Sequence, residues 1–74
     1  MNIKKNRLIL KGDLRVEVAE KILELALDPK KNISVIDLSG VTHLHSSVLQ
    51  ILLALKIPVN LPDDAALNQV FQNS

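Results

Sequence analysis

The chain has no cysteine, one aromatic residue, two glycines and three prolines in 74 positions. Without cysteine it forms no disulfide, thiolate metal site or cysteine nucleophile, and a reducing compartment is permitted. The single aromatic, Phe71, leaves nothing to stack on bases or sugars, so no nucleic-acid partner is expected. Charge of one sign is also missing: nine Lys and Arg face eight Asp and Glu, a formal net charge of +1. No overall field therefore draws the chain to nucleic acid or an anionic bilayer. The longest apolar run, Ile51–Leu55, has five residues, against roughly 20 needed to span a membrane, so no membrane insertion is expected. Positive charges at Met1–Asn6 resemble the start of a leader, but Arg7 and Lys11 interrupt the apolar stretch that would have to follow. The expectation is a cytoplasmic chain.

What is present is aliphatic. Hydrophobic residues make up 47% of the chain, nearly all Leu, Ile, Val and Ala, which suits helices packed on a sheet. A chain this short is one domain, 1–74, that buries only roughly 60–65% of its unfolded surface. Arg7–Lys11 reads as a strand ended by a turn at Gly12-Asp13, preceded by a frayed extension or a first short strand. From Val16 to Leu27, Ala19, Ile22, Leu23 and Ala26 recur at helical spacing, opposite Glu17, Glu20, Lys21 and Glu24. Pro29 disfavours helix at Asp28, and Lys30–Asn32 is a solvated loop.

Ile33–Leu38 forms the next strand and runs into Ser39-Gly40. A second helix opens at Ser46 or Ser47 and reaches about Lys56. Ile57–Leu61 is a third strand, with Pro58 placing it at an edge or a strand start. Pro62-Asp63-Asp64 caps a last helix that carries Leu67, Val70 and Phe71 on one face and runs toward Ser74. The alternation predicts an α/β fold: a small, mostly parallel sheet with about three helices and right-handed crossovers.

The densest information lies between Val35 and Leu53. A strand, a glycine and a helix start follow one another there, with the hydroxyls of Ser46 and Ser47 at the helix N-terminus. Free backbone N–H groups and the positive dipole end accept either a capping oxygen or a phosphate at such a place. The reading favoured by the residues themselves is a cap. Along this helix Leu49, Leu52 and Leu53 are taken as the core face and Val48, Ile51 and Leu55 as a second stripe, free for a protein partner or for self-association as a homodimer. The partner-binding set is thus His45, Ser46, Ser47, Val48, Ile51 and Leu55.

Three segments, Gly12-Asp-Leu14, Val35-Ile-Asp-Leu-Ser-Gly-Val41 and Leu44-His-Ser-Ser-Val-Leu49, resemble the STAS family of sulfate-transporter and anti-sigma-factor-antagonist domains. The resemblance spans about Arg7 to Phe71. It departs from the family pattern at His45, where Asp is common, at Val48, where Gly is common, and in length, as in a minimal or degenerate member. It implies a bacterial regulatory or adaptor protein and a STAS-like fold. It also implies a partner that is a serine kinase acting as an anti-sigma factor, and Ser46 as the phosphoacceptor. The alternative within the same resemblance is an unphosphorylated structural subunit of a transporter or other complex.

Catalysis is not expected. His45 beside Ser46 in sequence does not orient a base to a hydroxyl, and no Gly-x-Ser-x-Gly elbow occurs. His43 and His45 form a His-x-His pair without a third ligand nearby, so neither a metal nor a cofactor is expected. Lys4, Lys5, Arg7 and Lys11 read as charge protecting a sheet edge, or as a contact for an acidic partner.

Overall fold

The computed structural model describes residues 1–72, apart from the side chain of Gln72. Its elements are β1 (Asn2–Lys4), β2 (Arg7–Leu14), α1 (Val16–Leu27), β3 (Val35–Leu44), α2 (Ser46–Leu55), β4 (Val59–Asn60) and α3 (Ala65–Gln72). The sheet order is β1-β2-β3-β4, antiparallel at the first pair and parallel at the other two. The fold is therefore α/β, with a small, mostly parallel sheet and three helices. The residues before Arg7 are a paired first strand rather than a frayed extension: Lys5 and Asn6 take left-handed backbone, φ 51° and 68°, and turn the chain back on itself.

Two crossovers of one hand, stepping the same way from β2 to β3 to β4, put α1 and α2 on the same side of the sheet. One apolar cluster lies between the layers. It joins Leu8, Leu10 and Leu14 of β2, Ile36, Leu38 and Val41 of β3, Ala19 and Ile22 of α1, and Val48 and Leu52 of α2. Leu67 and Phe71 of α3 pack against it. Among the described residues, no helix contributes to a second cluster on the opposite side of the sheet. Asn2, Ile9, Asp37 and Asn60 form one row across it, by direct strand pairing.

The two central strands run further than the sequence reading placed them. Gly12-Asp13 lies within β2 and Ser39-Gly40 within β3, where turns or strand ends were expected. These residues mark irregularities rather than reversals. Eight residues of β2 face ten of β3, and the pairing shifts register between Ile9 and Lys11 and again between Gly12 and Asp13. Each shift is a bulge that reverses which side the following residues face. The inward residues of β3 are accordingly Ile36, Leu38, Val41 and Leu44, not a strict alternation. Gly12 has φ +73°, a conformation costing other residues about 1–2 kcal/mol.

The Ser39 bulge is secured by side-chain chemistry. Asp37 Oδ1 accepts the Ser39 N–H at 3.0 Å, supplying the partner that the ladder does not. The Ser39 carbonyl in turn accepts the Asp63 N–H at 3.3 Å, which ties the β4–α3 connection to the sheet. Hydrogen bonds from the Ser39 backbone and hydroxyl hold the Asp37 carboxyl below its ordinary pKa against partial burial, with a smaller contribution from Arg7, 3.8 Å away.

The remaining differences concern which side chains face inward. On α1, Ala19 and Ile22 are buried, whereas Leu23 is exposed; Val18 and Leu25 pack against the core instead. On α3, Leu67 and Phe71 pack inward but Val70 is 40% exposed. Asp64 caps that helix as expected, its Oδ1 accepting the N–H groups of Ala66 at 2.9 Å and Leu67 at 3.2 Å. The expected end at Ser74 lies outside the described residues.

Candidate functional site

Leu44 ends β3, and the next residue turns the chain into α2. The His45 N–H donates to the Leu14 carbonyl at 2.9 Å, so the start of α2 is hooked to the end of β2. The His45 carbonyl then accepts from Val48 at 3.0 Å and Leu49 at 3.1 Å, the first bonds of the helix.

The cap is His45, not a serine. Its Nδ1 accepts the Ser47 N–H at 3.1 Å and lies 2.8 Å from the Ser47 hydroxyl. Accepting that N–H requires a lone pair on Nδ1, which assigns the ring proton of the neutral imidazole to Nε2. Ser46, the first helical residue, is exposed, and its hydroxyl makes no hydrogen bond among the described residues. Residue preference alone favours Ser46 or Ser47 as the cap. The register of β3 decided otherwise, because its two bulges use up two residues and bring His45 to the capping position.

The face of α2 that was expected to be free is the core face. Val48 is fully buried, and Ile51 and Leu55 are half-buried and packed on the core. At about 100° per residue, Val48, Ile51, Leu52 and Leu55 form one i, i+3, i+4, i+7 stripe. Grouping Leu52 with Leu49 and Leu53 had rotated the inward face by roughly a quarter turn. The outward face consists of Ser46, Gln50, Leu53 and Ala54, flanked by half-buried Leu49, with Leu53 46% exposed. Of the six expected partner-binding residues, His45 and Ser46 are exposed and Ser47, Ile51 and Leu55 half-buried, while Val48 is out of reach of any partner in this fold. Gln50 and Ala54 are further surface residues of the same helix, and Leu53, expected on the core face, is a surface residue as well.

Farther down α2, Leu53, Ile57 and Phe71 help line an apolar hollow of about 350 Å³ between α2, β4 and α3. His43 is exposed on β3 and pairs in register with Asp13, which is ion-paired to Arg15 at 2.9 Å. Among the described residues no three His, Cys, Asp or Glu side chains come together as a metal site would require. No helix there is long and apolar enough to cross a membrane. No protein-family model, curated protein or solved structure matches the chain.

Proposed function

We propose that this chain is a small non-catalytic regulatory or adaptor domain of STAS type, acting in the cytoplasm by protein–protein contact at the start of α2. One observation carries the reading. Because His45 takes the capping role, the Ser46 hydroxyl is left exposed and unbonded at a helix N-terminus. A kinase has access to that hydroxyl. The helix dipole and free N–H groups favour a phosphate there, and the added charge of roughly −2 would repel a partner seated on Ser46, Gln50, Leu53 and Ala54. The fitting partner is a serine kinase that acts as an anti-sigma factor and is released when Ser46 is phosphorylated.

Mass spectrometry of the protein from its native cell tests the switch, and phosphate is expected on Ser46. Immobilised Ser46→Ala protein is expected to retain a partner that Ser46→Asp protein loses. Equal retention by both, with no phosphate on Ser46, would refute the switch. A second reading, an unphosphorylated structural subunit, is supported by His45 itself: its imidazole, bound to Ser47, occupies the place of the acidic residue that precedes the serine in the resembling family.

A further inference from the structure

The near-neutral total charge conceals a marked segregation. The parallel strands all start at one end of the molecule, so the β1–β2 turn, the α1–β3 loop and the α2–β4 loop meet there. Two hydrogen bonds fix this arrangement: Ser34 N–H to the Asn6 carbonyl at 2.8 Å and Ile36 N–H to the Pro58 carbonyl at 3.0 Å. Those three connections carry Lys4, Lys5, Arg7, Lys30, Lys31 and Lys56, six of the nine basic residues, and all six are exposed. The acids at this pole are Asp28, which accepts the Lys30 N–H at 2.9 Å, and Asp37, which is bonded to Ser39 and paired with Arg7. Glu24 lies one turn back along α1. None of the five lysines has an ion-pair partner among the described residues.

Two ordinary explanations cover only part of the cluster. Cations complement helix C-termini, which accounts for Lys30, Lys31 and Lys56 but not for the hairpin residues Lys4, Lys5 and Arg7. Edge protection accounts for Lys4. Lys5 and Lys56 moreover hold left-handed backbone, φ 51° and 56°, positions where glycine would be easier. At the α1 end that leads into this pole, Leu27 is 63% exposed, two residues before exposed Pro29.

We propose that this pole is a peripheral docking surface for an anionic phospholipid bilayer. Five of the six cations are lysines, compact point charges suited to a diffuse negative surface. Arginine forks would suit discrete carboxylates or phosphates better. The one aromatic of the chain, Phe71, shares a hollow with Lys56 but is half-buried against the core, so the cations have no row of open rings on which single-stranded nucleic acid could stack successive bases. Lysine clusters of this number bind anionic lipid by near-surface attraction, and exposed Leu27, shortly before Lys30 and Lys31 in the chain, supplies an apolar side chain for the headgroup layer. The contact is interfacial, since no helix among the described residues is long and apolar enough to cross a membrane. It does not depend on the reading of Ser46, which lies at the opposite end of α2.

The test is sedimentation of the full chain with vesicles of phosphatidylcholine alone and of phosphatidylcholine and phosphatidylglycerol in equal amounts. Binding is expected only to the second, weakening as salt is raised. Neutralising one lysine should weaken binding roughly fivefold. The double variant Lys30→Gln, Lys31→Gln should thus lose roughly 20- to 30-fold, whereas Lys21→Gln, which removes one lysine charge from the middle of α1, should leave binding unchanged instead of weakening it roughly fivefold. Leu27→Ser should lower the salt-resistant part of the binding, with the circular dichroism spectrum unaltered. Equal binding to both vesicles, none to either, or equal loss in Lys21→Gln would overturn the proposal. So would displacement from the vesicles by polyglutamate or an oligonucleotide of matched charge, which would make a soluble polyanion the occupant.

Discussion

Adjacent leucines on α2 offer the sharpest test of how the domain is packed. Leu52 is 2% exposed within the core cluster and Leu53 is 46% exposed on the outer face. Truncating Leu52 to alanine removes three buried carbons, a transfer loss of about 2.4 kcal/mol at about 0.8 kcal/mol each. The unfilled space adds to this, giving a total of about 3 kcal/mol. Leu53→Ala removes the same atoms from a side chain already nearly half in water, and alanine slightly favours helix, so the loss should stay under about 1 kcal/mol. A domain of 74 residues has about 4–11 kcal/mol of stability in all; the first change should leave it marginal and the second barely alter it. The chain has no Trp or Tyr, so urea unfolding is best followed by helical circular dichroism. Equal losses for the two variants, or a larger one for Leu53→Ala, would refute the assignment of the inward face.

Two further outcomes concern hydrogen bonds. His45→Ala should cost about 1 kcal/mol through the lost cap, while Ser46→Ala should change stability by less than about 0.5 kcal/mol; urea midpoints of the two variants check the order. Asp37 has a folded pKa below the unfolded carboxylate value of about 3.9. Its contribution is therefore present above that value and lost as pH falls through the lower, folded one. Asp37→Asn should lose about 1 kcal/mol near neutral pH and flatten the acid limb of a stability–pH curve, measured by urea unfolding at each pH. An unchanged limb would show that the Ser39 bonds do not depend on the ionised carboxylate.

Periodicity carried the element order and the full span of α1, because a twelve-residue amphipathic repeat closed by Asp-Pro leaves little choice. It failed where one residue type serves two purposes. Gly12-Asp13 and Ser39-Gly40 have the composition of turns, yet the parallel pairing of β2 with β3 holds both in the sheet as irregular strand. No local signal distinguishes a glycine that reverses a chain from one that admits a bulge; the distinction comes from pairing across some thirty residues. The same long-range pairing brought His45 to the cap, against its residue preference. For α2 the signal was present but misread: a helix that is apolar on most sides gives a weak moment, and the polar markers Ser46 and Gln50, which do point outward, were the better guide. The segregation of lysines is invisible to a net charge and required knowing which loops meet.

The bulge at Ser39-Gly40 also sets which insertions and deletions β3 can absorb during descent. A strand is read in steps of two, so losing a residue from its regular part, Asp37 for instance, throws every later side chain onto the wrong side, much as a lost base shifts a reading frame. Losing Gly40 does the reverse. Ile36, Leu38 and Val41 then fall into plain alternation, all still inward, and the strand becomes one residue shorter opposite β2. The change gives up the Asp37–Ser39 and Ser39–Asp63 contacts but leaves the buried leucines, isoleucine and valine in phase. Length variation among descendants of this chain should therefore gather at the bulge and spare the regular segment before it.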